Sequence, residues 1–351
     1  MPSRRFPPSP QPTRLPMSPN LFTRLSRTPS VRALIQWVDS DAGIADGDAP
    51  FESRPDSGAE ERRIDWFRIV PFIFLHLGCL GVLWTGASAA AATAAALLYV
   101  VRMFAITGFY HRYFSHNAFK TDRRWQFVFA VIGNASAQRG PLWWAAHHRH
   151  HHRFADLPED PHSPKQHGFW WSHMGWLTSR ANFPTRKKYV PEWLKFPELV
   201  WLNRFDTAVP ALLAVLLFGL GAFLEWVAPG LGTTGPQMLV WGFFISTAAL
   251  FHATVTINSL DHMWGTRRYE TPDTSRNNAL LALLTFGEGW HNNHHHYAVS
   301  ARQGFRWWEL DLTYLGLRLL ERFGIVRELR PLPARILAEE EIGKWPAGGA
   351  A

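Results

Sequence analysis

Two histidine runs in this chain have the spacing of metal ligands. One fills five of the six positions 147–152 and is interrupted by Arg149, and the other, HNNHHH, begins at His291. Residues at i, i+3 and i+4 lie on one face of a helix, so each run predicts three imidazoles that point in one direction. In the second run these are His291, His294 and His295. The first run offers two overlapping sets, and its spacing does not choose between them: His147, His150 and His151, or His148, His151 and His152.

Two shorter motifs add candidate ligands. HRYFSH contains His111 and His116, and NSLDH contains Asn258 and His262. Asn258 and His262 are four residues apart and therefore share a helical face. His111 and His116 are separated by roughly 140° on an ideal α-helix. They could therefore bind two different ions, or one ion near a helix end.

The number and type of these ligands indicate a pair of metal ions. The motifs offer about ten ligands, more than one ion of roughly four to six ligands uses. Imidazole suits Zn, Cu, Fe and Ni. Cys79 is the only cysteine, which excludes disulfides and cysteine-based zinc or iron–sulfur sites. An all-imidazole pair of ions in a membrane protein favours iron and oxygen chemistry on a lipid. One run in isolation would be typical of metal scavenging, but four clusters favour a defined site.

Long hydrophobic segments are the elements that must position these motifs. No charged residue occurs between Ile69 and Val101, and TGAS divides this run. A second pair of segments is divided by APGLGTTGP. A bilayer core needs about 20 apolar residues per helix. The sequence thus predicts an all-α integral membrane protein whose four transmembrane helices form two hairpins; a soluble protein with buried helices is the alternative. The predicted spans are about 69–86, 88–107, 207–226 and 237–257.

The basic residues predict the orientation of these helices. Neither hairpin turn contains Lys or Arg, whereas residues 107–206 contain fourteen. Positive charge marks the cytoplasmic side, so we expect both termini and every histidine motif there, in a helical cap on the membrane. The net charge of +8 is then typical of a membrane surface and not of a nucleic-acid partner.

The predicted membrane domain covers residues 64–330. Residues 1–63 are expected to be a disordered tail, because the first 32 residues hold six Arg and no acidic residue, a composition that cannot bury a core. An organelle transit peptide is the alternative for this segment. Residues 331–351 are a predicted C-terminal tail.

Three of the motifs resemble the histidine boxes of the integral-membrane fatty acyl desaturases, in particular the stearoyl-CoA (acyl-CoA) Δ9-desaturase group. HRYFSH is similar to the first box, HRHHH to the second and HNNHH to the third. GEGWHNNHH, DPHS, GFWWSHMGWL and NSLDHMWG resemble the sequences around the boxes, and the similarity runs from about residue 67 to 310. The resemblance implies a cytoplasmic centre of two iron ions that uses O2.

The resemblance also selects a ligand set. In the family's second box, Arg directly follows the first histidine, which selects the set beginning at His148 and leaves His147, His150 and His296 outside the centre. Asn258 would complete the centre through a water molecule. The histidine ligands implied are His111, His116, His148, His151, His152, His262, His291, His294 and His295. Carboxylates near the boxes are expected to orient the rings and to balance charge. The candidates are Asp160, Asp261 and Glu288.

The activity implied is insertion of a cis double bond, at Δ9, into a saturated C16–C18 acyl chain. We expect a separate electron donor, namely cytochrome b5, ferredoxin or rubredoxin with its reductase, because the chain contains no His-Pro-Gly-Gly haem motif. A membrane diiron hydroxylase of alkyl or sterol substrates is one alternative. A histidine-rich metal transporter is another, although it would place its ligands at mid-membrane.

Basic residues after GWL are the candidate head-group site. Animal acyl-CoA members of the family have an Arg-Lys-His-Pro-like stretch there, whereas residues 178–182 of this chain contain one basic residue, Arg180. Arg186, Lys187 and Lys188 follow and could bind phosphate or mark the cytoplasmic surface. The resulting expectation is an acyl-CoA substrate in preference to an acyl-lipid.

Overall fold

The computed structural model describes residues 29–42 and 63–338. Within these residues the regular structure is helical, and strand pairing is limited to isolated bridges. The principal helices are α1 Pro29–Gln36, α2 Val70–Thr85, α3 Ala89–Ser115, α4 Arg123–Asn134, α5 Pro141–Phe154, α6 Pro197–Arg204, α7 Ala208–Val227, α8 Gly235–His262, α9 Ala279–Leu284, α10 His291–His296 and α11 Leu312–Arg322. Shorter helices occupy Pro164–His167, Phe169–His173 and Ala334–Ala338. The expected all-α class is confirmed for the described part of the chain.

Three of these helices, α3, α7 and α8, are long and apolar enough to cross a membrane. The first predicted span, 69–86, corresponds to α2, which is shorter than the other three and is interrupted by a 3₁₀ turn at Cys79–Gly81. Helices α3 and α8 continue well beyond the predicted ends at 107 and 257. The apolar run stops there, but the polar residues that follow, such as His111 and His262, are buried by protein and continue the helix.

The two hairpin turns lie side by side at one end of the membrane helices. Ser88 Oγ and Thr233 Oγ1, one from each turn, form a hydrogen bond of 2.5 Å. Gln237 donates to the carbonyl of Thr85 at 2.9 Å, and Trp241 to that of Gly86 at 2.9 Å. These bonds satisfy backbone carbonyls that the turn leaves without helical partners.

Exposed tryptophans mark the same end. Trp84 and Trp226 are each 80% exposed, and both lie in the last turns before the hairpin loops. Tryptophan collects where a membrane meets water. Its position here fits a bilayer boundary at the turns, with the histidine motifs at the opposite ends of the helices.

Cysteine labelling tests the two-hairpin topology, which stays a prediction. In a Cys79→Ser background, Gly230→Cys places the thiol in a turn where a Cβ meets no atom within 4 Å, and Lys165→Cys places it on an exposed residue near the histidine motifs. In sealed, oriented vesicles, a membrane-impermeant maleimide should reach these thiols from opposite sides. Equal labelling of both from one side contradicts the topology.

The tail differs from its expected disorder at residues 29–42. This segment forms α1 and is fastened to the end of α6: Ser40 Oγ donates to Asp206 at 2.8 Å, and Asp39 pairs with Arg204 at 2.7 Å. The composition does not predict this helix, because a few ion pairs and hydrogen bonds hold the segment in place where a core of apolar side chains otherwise would. The other residues of the predicted tail up to 62 lie outside the described residues. In the predicted C-terminal tail, Ile336 packs on Tyr269.

An aromatic core holds the C-terminal end of α3 against α4, α5 and α6. Phe109 stacks on Phe129 with ring centroids 3.8 Å apart, and Phe114 and Trp193 fill the space beside them. Arg149 of α5 donates to the carbonyls of Phe114 and Ser115, at 2.8 and 2.7 Å. These carbonyls end α3, so the arginine inside the second histidine motif fixes α5 to the first.

Candidate metal centre

Nine buried or half-buried histidines form two groups between the ends of these helices. In each group the side-chain nitrogens lie within 4.8 Å of one another. The five-histidine group consists of His111, His116, His148, His152 and His294. The four-histidine group consists of His151, His262, His291 and His295. The structure thus brings together all nine histidines named from the sequence, and His147, His150 and His296 belong to neither group.

Helices α5 and α10 each supply histidines to both groups. From α5, His148 and His152 point to the five-histidine group and His151 to the other. From α10, His294 belongs to the first group, and His291 and His295 to the second. Successive residues of a helix point about 100° apart, so a single helix can serve two neighbouring ions.

A π-helix resolves the position of His111 and His116. Residues Ala105–Ser115 of α3 form a π-helix, and the amide of His116 donates to the carbonyl of His111 at 3.2 Å, an i→i−5 bond. The wider turn brings residues five apart onto one face, whereas an α-helix would separate them. Both histidines therefore enter the five-histidine group, an arrangement that favours a single shared ion over two different ones. Such π segments are frequent at functional sites.

The converging atoms are Nε2 nitrogens. His111 and His294 approach to 3.0 Å, His116 and His148 to 2.8 Å, and His262 and His291 to 3.1 Å. Imidazoles bound to one ion at about 2.0–2.1 Å would place their nitrogens at similar separations.

Burial gives six of these imidazoles the protonation state that binds metal, whereas at His151 burial is outweighed by Asp160, which raises the pKa. Burial, together with the neighbouring histidines, holds the pKa of His116, His148 and His152 well below the usual range, and burial lowers that of His295 to about 4. The same holds for His291 and His294. Nε2 of His295 is buried without a hydrogen-bond partner. Neutral nitrogens that converge and have no donor to satisfy them fit metal ions.

Two of the three predicted carboxylates contact a ring of the two histidine groups. Asp160 accepts from Nδ1 of His151 at 3.0 Å, and Glu288 contacts Nδ1 of His111. Asp261 does not: it is fully buried, and neither of its carboxylate oxygens has a hydrogen-bond partner. It precedes His262 in the chain, but neighbouring residues of a helix point in different directions.

Sequence reasoning missed two aspartates and a glutamine. Asp156 lies 3.4 Å from Nδ1 of His262, and Asp273 accepts from Nδ1 of His295 at 2.8 Å. Gln303 places its amide 3.3 Å from Nδ1 of His294. The i to i+4 spacing from His152 to Asp156 is a usable signal for that aspartate. Asp273 and Gln303 stand in loops whose spacing from the motifs carries none.

The asparagines of the third motif anchor α10. Asn292 accepts from the amide of Tyr269 at 2.8 Å, and Asn293 donates to Glu309 at 2.9 Å. Asn277 accepts from the amides of both asparagines, at 3.0 and 3.1 Å, and so caps the start of the helix. Helix α10 has only six residues, and these bonds fix the direction of its histidines.

Asn258 lies on α8 one turn before His262 and is half-buried. Its backbone carbonyl accepts from Ser172 at 2.9 Å. Its predicted role, to complete the centre through a water molecule, stays a prediction.

The three extra histidines have structural contacts. His147 stacks against Trp143, and its Nε2 donates to the carbonyl of Pro184 at 3.1 Å. His150 packs on Tyr189, and His296 stacks on Tyr269 with ring centroids 4.1 Å apart.

Other histidines form a chain beside α8. His76 of α2 bonds to His252 at 3.2 Å, and His252 bonds to His173 at 3.1 Å. Nδ1 of His173 meets Ser259 at 3.0 Å. His252 uses a different nitrogen for each neighbour, so these three residues form a hydrogen-bonded chain and not a chelating site.

Three of the four candidate head-group residues lie on two 3₁₀ turns, Arg180–Asn182 and Lys187–Tyr189, and Arg186 directly precedes the second turn. Arg180 pairs with Asp65 at 3.2 Å, and Lys187 lies 4.0 Å from Asp41. The remaining two also contact their own loop: Arg186 bonds to Asn182 at 3.2 Å, and Lys188 lies over the ring of Tyr189. Carboxylates from the N-terminal part of the chain thus lie beside two of the four cations, whose side chains stay about half exposed.

Sequence comparison agrees with this geometry. The sequence model of the family described as fatty acid desaturase matches residues 53–323. The chain belongs to the fatty acid desaturase family.

Proteins similar to this chain are named as desaturases of acyl-lipids or of acyl-CoA. An sn-1 stearoyl-lipid 9-desaturase of Anabaena variabilis is 35% identical over 274 residues, covering 76% of this chain and 94% of that protein. A Delta-9 acyl-lipid desaturase of Arabidopsis thaliana is 36% identical over 275 residues, 77% of this chain and 84% of the relative. An acyl-CoA 5-desaturase of Anemone leveillei is 35% identical over 269 residues, 76% and 79% of the two chains. The desaturase is an oxidoreductase of fatty acyl chains, and its apolar helices indicate a membrane protein.

Proposed function

We propose that this desaturase introduces a cis double bond at Δ9 of a saturated C16–C18 acyl chain, with O2 and two electrons, at a centre of two iron ions. The observation that carries the proposal is the pair of buried histidine groups, of five and four members, at the ends of apolar helices. The overall reaction converts –CH2–CH2–, O2, two electrons and two protons into –CH=CH– and two waters.

Bound iron would supply the oxidising power that removes hydrogen from an unactivated methylene, which acid–base groups alone cannot do. The chain's own residues hold the nitrogens in place. The imidazoles present Nε2 inward, and Asp160 and Glu288 accept from the outward Nδ1 of His151 and His111. The burial of these groups excludes water from the reacting carbons.

Expression in a host that lacks unsaturated fatty acids tests the activity. The expected product is an alkene at carbon 9, together with about two irons per purified chain. An alcohol product would identify a hydroxylase instead, and metal uptake without any lipid product would identify a transporter.

The acyl carrier is proposed to be a membrane glycerolipid. The sequence favours acyl-CoA, but Asp65 and Asp41 lie beside two of the four cations expected to bind its phosphates and reduce the positive charge there. The names of the relatives from Anabaena and Arabidopsis support a lipid carrier, and the name of the relative from Anemone supports acyl-CoA.

Direct competition decides between the carriers. Purified desaturase with a reducing partner receives stearoyl-CoA and a stearoyl glycerolipid in nanodiscs, and we expect oleoyl product on the glycerolipid. Arg180→Gln should leave this turnover unchanged, because Arg180 pairs with Asp65 and not with the substrate. Product from stearoyl-CoA alone, with a loss of turnover on Arg180→Gln, would restore the acyl-CoA assignment.

The electron donor in vivo is proposed to be a separate cytochrome b5, ferredoxin or rubredoxin. The active site is proposed to face the cytoplasm, as the basic residues predict.

A further inference from the structure

The two histidine groups differ in the negative charge around them. In the four-histidine group, three ligands turn Nδ1 toward an aspartate: His151 to Asp160 at 3.0 Å, His295 to Asp273 at 2.8 Å, and His262 to Asp156 at 3.4 Å. Nδ1 of the fourth ligand, His291, is buried without a hydrogen-bond partner.

The five-histidine group has one such carboxylate among its described contacts. Glu288 contacts Nδ1 of His111, but its other oxygen lies 3.1 Å from the guanidinium of Arg112. The ring of His294 meets the uncharged amide of Gln303 instead. The larger group therefore has one carboxylate on its rings against three, and that carboxylate shares the guanidinium of Arg112 with Asp311, which lies 2.9 Å from it.

The three aspartates are held in place by backbone amides. Asp160 accepts from the amide of Asp156 at 3.0 Å, and Asp273 from that of Ser275 at 2.9 Å. Asp156 accepts from the amide of Thr274 at 2.6 Å. These bonds fix the carboxylates as acceptors that point at the rings. Asp156 even adopts φ = 60° to do so, a conformation that few residues except Asn, Asp and Gly adopt readily.

We propose that the two metal positions of the centre are unequal, and that the four-histidine group binds its ion more tightly and is the first to be oxidised. A carboxylate that accepts from Nδ1 of a metal-bound histidine raises the basicity of that ligand. Three such carboxylates place more electron density and more negative charge at one ion, which stabilises its higher oxidation state. This inference rests on the two-iron centre of the proposed function.

Graded chelation measures the difference in affinity. The full-length, iron-loaded desaturase is dialysed against chelators of increasing strength, and iron per chain is measured at each step. The wild type should lose its ions in two separate steps. Asp273→Asn and Asp160→Asn, which keep the shape and remove the charge, should weaken the second step by about 10–100-fold. Glu159→Gln, on an exposed residue beside Asp160, is the matched control and should release iron as the wild type does.

Mössbauer spectra of the ⁵⁷Fe-loaded protein give a second readout that does not depend on turnover. One equivalent of a one-electron oxidant should convert one of the two ferrous signals in the wild type, and Asp273→Asn should remove that preference.

Release of both irons in a single step, equal oxidation of both signals, or unchanged behaviour of both aspartate variants would overturn the inference. If the variants fail to fold, as judged by size exclusion, the wild-type order of release and oxidation decides alone. Two equal irons contradict only this inference, whereas a protein that binds no iron contradicts the proposed function as well.

Discussion

Alanine at His151 is expected to abolish turnover and to lower the iron content of the purified protein, whereas alanine at the adjacent His150 should leave both close to the wild-type values. His151 belongs to the four-histidine group and His150 to neither group. Three imidazoles would remain around one ion, and metal-site affinity depends on the full ligand set. His150→Ala removes packing against Tyr189, a loss of about 1–3 kcal/mol in stability. Iron analysis and fatty acid analysis of the same preparations measure the two effects.

The same comparison extends to the overlapping set on α5. His148→Ala and His152→Ala should behave like His151→Ala, because both residues belong to the five-histidine group. His147→Ala and His296→Ala should keep most of the iron, since their rings stack on Trp143 and Tyr269 instead. Loss of iron in His147→Ala together with its retention in His152→Ala would mean that the other overlapping set binds the metal.

Replacement of Arg112 by leucine is expected to destabilise the desaturase by about 3–5 kcal/mol, the usual result of breaking a buried ion pair from one side. Arg112 is 1% exposed and pairs with Glu288 at 3.1 Å and with Asp311 at 2.9 Å. It also donates to the carbonyl of Ala301 at 2.7 Å. Without the guanidinium, two carboxylates remain buried with no cation beside them, and one of these contacts the ligand His111. Thermal unfolding in detergent, followed by circular dichroism, measures the loss.

Arg124→Leu is the control for this experiment. Arg124 is exposed near the start of α4, and surface substitutions usually change stability by less than about 0.5 kcal/mol. Asp311→Asn should recover part of the stability when combined with Arg112→Leu, because it removes one uncompensated charge. Equal melting of Arg112→Leu and the wild type would show that the buried pair contributes nothing.

The parts of the centre that depend on local periodicity could be predicted from the sequence. The spacing of His291, His294 and His295 places them on one helical face whatever surrounds α10. The spacing of His111 and His116 was ambiguous, because it is regular only in a π-helix, and nothing local in the sequence specifies an i→i−5 hydrogen bond.

The partners of the rings depend on tertiary contacts and were predicted less well. Asp160 follows the second motif closely and was identified, as was Glu288 before the third. Asp273 reaches His295 from a loop that runs back over α10, and this path has no signature in the sequence. Asp261 lies next to His262 along the chain, but the direction of a side chain on the helix decides whether it reaches a histidine ring. The apolar segments were predicted well at their centres and poorly at their ends, since burial by protein extends α3 and α8 beyond the apolar run.

The shortness of α2 has a consequence for the bilayer around the protein. Its 16 residues extend about 24 Å at 1.5 Å per residue, whereas the hydrocarbon of a typical bilayer is about 30 Å thick. If α2 also crosses the membrane, it would match a thin bilayer better than a thick one. Hydrophobic mismatch of this kind sorts proteins between membranes. A cis double bond bends an acyl chain and shortens its reach across the leaflet. The product of the proposed reaction would therefore thin the surrounding bilayer toward the length of α2.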